Sequence, residues 1–537
     1  MSGDRHDILI VGSGMSAVHA AQTLIEAGRS VSMIDAGDPG SRFACRVPAQ
    51  DFITLRESDP DQHLYFLGES FEGIPWGPAA HTLTPPRSYI EKGTERWCPV
   101  RSDGFSAEES LAYGGLGSGW GAGCGAYADI ELNAMGLDPG AIRKAYAVIA
   151  DRIGVACRRD DATPACGDGV QNPHEPMRFD NSIGLLAAAY GRHREAFQKR
   201  NLVMGKCPMA VLTHPALGRG GTPYTDMEFW ADHEGAVYRP WMTLDALRAG
   251  PRFGYEGGLI VLRFEEDAGG VHVIARPLAG GADRPISARR LVLAAGALGT
   301  ARIVLRSQPA LTSLPLLSNP YSISVCLHLR MLGRPLDRRR TSLGQLEIFH
   351  DPRRDGLGVR MTSLYTYRSL LLFKLIKEVP LAMGDARALL RPLTSALVLA
   401  TINHPDRPAP GKSCRLVPDA ASGTGDALRV QWTKAPEQEE ENRVSERAVK
   451  WALRRLGCPV LRVQHMPPGA AVHYAGTLPF REDFAVGSLA PDGRLGGTCR
   501  VHVVDGSGFR YLPANGLTFT LMANAHVTAS RIAQEES

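Results

Sequence analysis

The feature that most constrains this chain is the turn Gly12-Ser13-Gly14-Met15-Ser16-Ala17, set between an apolar strand and a helix. Asp7 to Val11 reads as the strand. Ala17, Ala20, Ala21, Leu24 and Ile25 share one face of the helix that follows, and Gly28 stops it. Val31 to Ile34 is a second strand, closed by Asp35. This order predicts a β-α-β unit that binds a dinucleotide. Gly12 permits the tight turn, Gly14 lets a pyrophosphate approach the backbone, and Ala17 keeps helix and strand close. Amides at the helix N-terminus face the phosphates, and Asp35 is placed to accept ribose hydroxyls. The motif leaves NAD and FAD both open.

The rest of the chain sets the frame. Its 537 residues imply two domains or one large elaborated one. With 44% hydrophobic and 22% charged residues, it is neither disordered nor fibrous. A net charge of +4 gives no electrostatic reason to expect nucleic acid as a partner. The N-terminal apolar run is too short for a signal peptide core. Ser369 to Met383 is broken by Lys374, Lys377, Glu378 and Pro380, so it reads as a buried helix and not a membrane span. The ten cysteines show neither a CxxC pair nor the Cys/His spacing of a zinc site. A cytoplasmic protein with reduced thiols and no metal site is expected.

Further elements follow from periodicity. A helix is expected over residues 138–154, a strand pair over 259–264 and 271–276, a buried strand over 290–295, and a helix from about Thr300 to Ser307. Residues 155–235 read as loop-rich, and residues 313–484 as a mixed sheet with covering helices. One helix there is well marked: Pro436 opens it, Glu437 and Glu439 to Glu441 crowd its start, and Arg454 and Arg455 lie near its end.

Two distant segments add chemistry. Gly114-Gly115-Leu116-Gly117-Ser118-Gly119-Trp120-Gly121 continues to Gly125 as a second glycine-dense loop, suited to close passage along a flat ligand. Near the C-terminus, His473-Tyr474-Ala475-Gly476-Thr477 precedes Val503-Val504-Asp505-Gly506-Ser507 and then Asn515-Gly516-Leu517-Thr518. With Leu293-Ala294-Ala295-Gly296-Ala297-Leu298-Gly299, these pieces in this order resemble the glucose–methanol–choline (GMC) oxidoreductases, FAD-dependent alcohol oxidases and dehydrogenases. Within that family the chain is most similar to bacterial members associated with sugar-derived molecules.

The resemblance implies an α/β fold in which a Rossmann-like FAD-binding domain (residues 1–135, 236–312 and 485–537) is interleaved with a mixed-sheet substrate-binding domain (136–235 and 313–484). It implies FAD bound by Gly12, Gly14, Ala17, Asp35, Gly114, Gly115, Gly117, Ser118, Val261, Gly296, Asp505 and Gly506. His473 is then the active-site base, accepting the hydroxyl proton while hydride passes from the carbinol carbon to flavin N5. Imidazole, with an ordinary pKa of about 6.5, suits that task. The second active-site residue of the family falls at Gly516 here, and Asn515, one residue earlier, is the candidate to hold the alkoxide. Trp120 stands where the family has Asn. No histidine lies between His81 and His174, which excludes a histidyl–flavin bond in the glycine loop and implies non-covalent FAD, with Cys124 as the one thiol open to a thioether. The substrate is expected to be a small polyhydroxylated alcohol (a sugar, cyclitol, aminoglycoside or nucleoside), with O2 or another electron acceptor. Two other readings share the motifs: a non-redox lyase, and a flavin redox partner of another protein.

Overall fold

The structure, a computed structural model, describes residues 6–38, 47–69, 85–166, 168–366, 380–390 and 392–535. The stretch expected as a buried helix, 369–383, lies outside the described residues up to 379. Among the described residues no helix is long and apolar enough to cross a membrane.

The N-terminal unit forms as its pattern predicts: β1 (His6–Val11), α1 (Met15–Glu26) and β2 (Val31–Ile34). The apolar face of α1 is covered at Ala17, Ala20, Ala21 and Leu24, each at 0% exposure, and Ile25 at its end is partly buried. Gly28, at φ +85°, ends it in the left-handed conformation that a side chain would resist. In spatial order the sheet runs Phe253–Glu256, β2, β1, Arg284–Leu293, Gly270–Pro277, Leu259–Asp267. The first four strands are parallel, and the last two form an antiparallel hairpin at the edge. Val501–Val503 also pairs in parallel with Arg284–Leu293, beside Leu291 to Leu293.

The second half is built on a six-stranded antiparallel sheet: Val460–His465, Tyr321–Leu327, Leu397–Asn403, Arg360–Thr366, Leu346–His350, Leu202–Lys206. It is wholly antiparallel where a mixed sheet was expected. The mixed one is a smaller four-stranded sheet, in which Val100–Ser102 runs parallel to Asp426–Trp432. Alternation along the large sheet separates its two faces. Cys326, Leu364, Val398, Ala400 and Ile402 pack against the helices Asn181–Gln198 and Pro436–Arg455. The opposite face, with Ile323, Ser363, Leu399 and Thr401, looks into a cavity.

Packing crosses the domain boundary expected at residue 135. The helix Pro139–Ile153, capped by Asp138 as its sequence suggests, lies against the helix Thr518–Glu535, which also packs on α1. Tyr146 stacks on Phe519 at 4.6 Å between ring centroids, and its hydroxyl meets Thr520 Oγ1 at 2.6 Å.

Candidate cofactor and active site

Four parallel strands end at one place. β1 runs into Gly12 to Gly14, β2 into Asp35, Arg284–Leu293 into Ala294 to Gly296, and Val501–Val503 into Asp505 and Gly506. Residues from all four ends line a single cavity of about 780 Å³. In open α/β sheets the crevice outside the carboxyl ends of the strands is where ligands bind.

Ser13 ties three of the expected pieces together. Its Oγ donates to Asp35 Oδ2 at 2.5 Å and accepts from the Gly114 amide at 2.9 Å. Asp35 Oδ2 also accepts from the Gly37 amide (3.1 Å) and the Tyr255 hydroxyl (3.2 Å). Oδ1 takes part in none of these three bonds. Burial pushes the Asp35 carboxyl above the usual aspartate range, against the pull of its donors. A Cβ on Gly115 would lie 3.5 Å from Gly14 Cα, while one on Gly14 would enter open space. The two glycine turns thus leave a bare backbone cradle. Gly115 and Gly117 line the cavity. Ser118 is buried and its Oγ donates to the Tyr113 carbonyl, so it and Gly114 hold the loop in place.

The remaining expected positions fall into two kinds. Val261 lines the cavity at a β-bulge, where the register against Gly270–Pro277 slips by a residue. Gly296 lines it at the start of the helix Gly296–Ser307, and Ala17 instead sits fully buried within α1. Asp505 accepts from the Ser507 amide and hydroxyl (3.0 and 2.6 Å) through Oδ1 and from Thr300 Oγ1 (2.6 Å) through Oδ2. These bonds fix the turn that presents Gly506. The Gly506, Ser507 and Gly508 carbonyls in turn accept from the Gly476, Leu478 and Phe480 amides. This ladder explains structurally why the H-x-x-G-T and D-G-S segments belong together.

His473 lines the same cavity. The residue before it, Val472, holds φ +58°, an outlier for a β-branched side chain, and such strain collects where the fold over-determines a functional position. His473 Nδ1 lies 3.0 Å from Asn319 Oδ1, and Asn319 carried no signal in the sequence reading. Asn515, the expected second active-site residue, is not among the residues that line this cavity. Its amide nitrogen donates to the Ala165 carbonyl at 3.1 Å and its side chain packs on Gly125, while Gly516 faces the cavity. Trp120 lines the cavity with its indole Nε1 anchored on the Tyr238 carbonyl at 2.7 Å. Cys124 is turned into the apolar core, and burial raises its thiol far above the usual range.

The sheet floor opposite carries a row in register that is polar except for Ile323. Gln464 pairs with Ile323, Ile323 with Thr401, Thr401 with Ser363, and Ser363 with Glu347. All five line the cavity. Burial raises the Glu347 carboxyl from an ordinary 4.5 to about 7. The folded protein therefore holds this proton more tightly than the unfolded chain. Its contribution to stability is present below pH 4.5 and is lost as pH rises through about 7. Thermal unfolding at about pH 5 and pH 8 should show the Glu347→Gln variant gaining on wild type at the higher pH. An equal difference at both pH values would assign the pH dependence elsewhere.

No family model matches the chain, and no curated protein is similar to it in sequence. Solved structures do share its fold. A formate oxidase from Aspergillus oryzae, a variant studied for FAD modification, superposes with a TM-score of 0.64 over 100% of this chain and 99% of that one, at 12% identity. Pyridoxine 4-oxidase from Mesorbium loti matches over 98% of this chain and 99% of its own at a TM-score of 0.56 and 15% identity. Neither is named for a sugar, so the narrower likeness to members acting on sugar-derived molecules draws no support from them.

Proposed function

We propose that the chain is an FAD-dependent oxidoreductase of the GMC type that oxidises an alcohol group of a small molecule to a carbonyl, with His473 as base. The observation that supports this reading best is the convergence of four strand-end turns and His473 on one cavity. The residues fit FAD. Asp35 presents its carboxylate to the cavity at the end of β2, and the facing Gly14 and Gly115 leave a cradle that side chains would fill. Asp35 and the Gly12–Met15 turn would hold the adenosine and pyrophosphate, with Gly115, Gly117 and Gly506 along the remainder. Bound FAD supplies the hydride acceptor. His473 takes the hydroxyl proton, and the polar row from Gln464 to Glu347 orients the other polar groups of the substrate. That row favours a polyhydroxylated molecule: a sugar, cyclitol, aminoglycoside or nucleoside. Both structural neighbours are oxidases by name, which favours O2 as the acceptor.

Anaerobic addition of such alcohols, with pyridoxine included, should bleach the flavin of the purified protein, and admitting air should restore the yellow colour with release of peroxide. A flavin that no alcohol in the panel bleaches would leave a non-redox lyase as the better reading. The same preparation tests the linkage. Because the Cys124 thiol faces the core and the glycine loop lacks histidine, acid precipitation should leave FAD in the supernatant; a yellow pellet under a colourless supernatant overturns non-covalent binding. Asp35→Ala removes a charged acceptor that contributes about 1.5–3 kcal/mol, so FAD affinity should fall roughly ten- to a hundred-fold by flavin-fluorescence titration. Unchanged affinity would place the ribose elsewhere.

A further inference from the structure

The bond between His473 and Asn319 has a direction that the structure determines. Leu317–Ser318 and Tyr474–Ala475 form a two-stranded antiparallel ribbon, with Leu317 opposite Ala475 and Ser318 opposite Tyr474. Continuing that register sets Asn319 opposite His473, and directly opposed residues bring their Cβ atoms about 4.5–5.5 Å apart. The 3.0 Å contact is a consequence of the pairing.

An asparagine amide offers one acceptor oxygen and one donor nitrogen, and which faces the ring decides the chemistry. Here Asn319 Nδ2 is surrounded by carbonyls: His404 at 2.8 Å, Pro513 at 3.0 Å and Leu512 at 3.3 Å. Carbonyls only accept, so the nitrogen must occupy that side. The oxygen is left for the histidine. The surrounding frame is itself pinned. Leu512 exchanges two backbone hydrogen bonds with Asp406, of 2.7 and 2.9 Å. Asp406 Oδ2 accepts from the Ser318 amide at 2.9 Å, and its Oδ1 is paired with the buried Lys412 ammonium. Asn319 is 1% exposed, so water does not compete for it.

We propose that Asn319 is a positioning residue that locks neutral His473 in its Nδ1–H tautomer, leaving the lone pair on Nε2, the nitrogen on the far side of the ring. Oδ1 has no proton to give, so the proton in the bond belongs to Nδ1. A proton that later arrives on Nε2 gives an imidazolium whose Nδ1–H bond to Asn319 persists and becomes charge-assisted. The ring therefore accepts at one defined atom without rotating. This proposal extends the reading of His473 as base, yet its test needs no turnover.

The test is nitrogen NMR of the flavin-loaded protein carrying ¹⁵N-labelled histidine, at about pH 8.5, where ordinary imidazole is neutral. A parallel His473→Gln sample assigns the signals. In wild type, Nδ1 should resonate as a protonated nitrogen and Nε2 as one bearing a lone pair. Asn319→Ala should move both signals toward the intermediate shifts of a mixed tautomer population, and Asn319→Ser, whose oxygen falls short of the ring, serves where alanine does not fold. A protonated Nε2 in wild type overturns the proposal, whichever variants fold. So do unchanged shifts in a soluble, flavin-loaded variant. A correct tautomer in a protein that oxidises no alcohol would uphold the proposal while sinking the functional reading.

Discussion

His473→Ala is expected to retain FAD and to slow flavin reduction by an alcohol substrate by about 10²–10⁴-fold, the usual contribution of a positioned acid–base group. Retention follows from the site's construction. In the proposed site the nucleotide end would rest on Asp35, Ser13 and the two glycine turns, whose hydrogen bonds are separate from the His473–Asn319 bond. Stopped-flow reduction separates the two effects, because flavin content is read from the spectrum before substrate is added. Reduction at the wild-type rate would move the base elsewhere in the cavity. Asn515→Ala should leave that rate close to wild type, since its amide nitrogen donates to the Ala165 carbonyl and the residue does not line the cavity; a collapse there would support it as the group that holds the alkoxide.

Gly12→Ala should abolish cofactor loading. Gly12 has φ +103°, and a Cβ placed on it would stand 2.6 Å from the Ala294 carbonyl oxygen and 3.0 Å from its carbon. The left-handed conformation costs an L-residue about 1–2 kcal/mol, and forcing a methyl group into packed surroundings costs roughly 1–3 kcal/mol more. The obstacle is backbone at the end of the neighbouring parallel strand, which cannot swing aside as a side chain would. Colourless protein with a lowered unfolding temperature is the expected result. A yellow variant of wild-type stability would show that the turn relaxes without loss.

What the sequence made legible is what local chemistry determines. The strands β1 and β2, the helix α1 and the acid at Asp35 are set by apolar spacing and glycine placement within one short stretch. The helix Pro436–Arg455 is readable from Pro436 at its start and from its terminal charges. The helix Asn181–Gln198 lies in the stretch that reads as loop-rich, although its own sequence marks it. Asp180 caps it, accepting from the Ile183 amide, and Ile183, Leu186, Tyr190 and Phe197 recur at helical spacing. The helix Gly296–Ser307 starts earlier than expected because glycine at its first position reads as loop. Asn319 was beyond reach for a different reason. Its role depends on the register between two strands remote in sequence, and on three carbonyls from two further segments. The placement of Asn515 likewise turns on the direction a loop takes, which a one-residue offset in spacing does not reveal.

The strand order of the nucleotide sheet also dictates a schedule. β1 is synthesised well before its inner neighbour Arg284–Leu293, and that strand in turn accepts the still later Val501–Val503. The fingerprint turn therefore exists as a sequence long before it exists as a site. Until the last strand is delivered, the wall bearing Asp505 is missing and an apolar sheet edge stands uncovered. Closing contacts of such long range is slow, and an exposed edge during that wait invites aggregation. Under the proposed function, cofactor capture must wait until Val501–Val503 and the Asp505 turn behind it have been made. It follows that the N-terminal β-α-β unit, for all its local clarity, should not be expressible as a separate flavin-binding module.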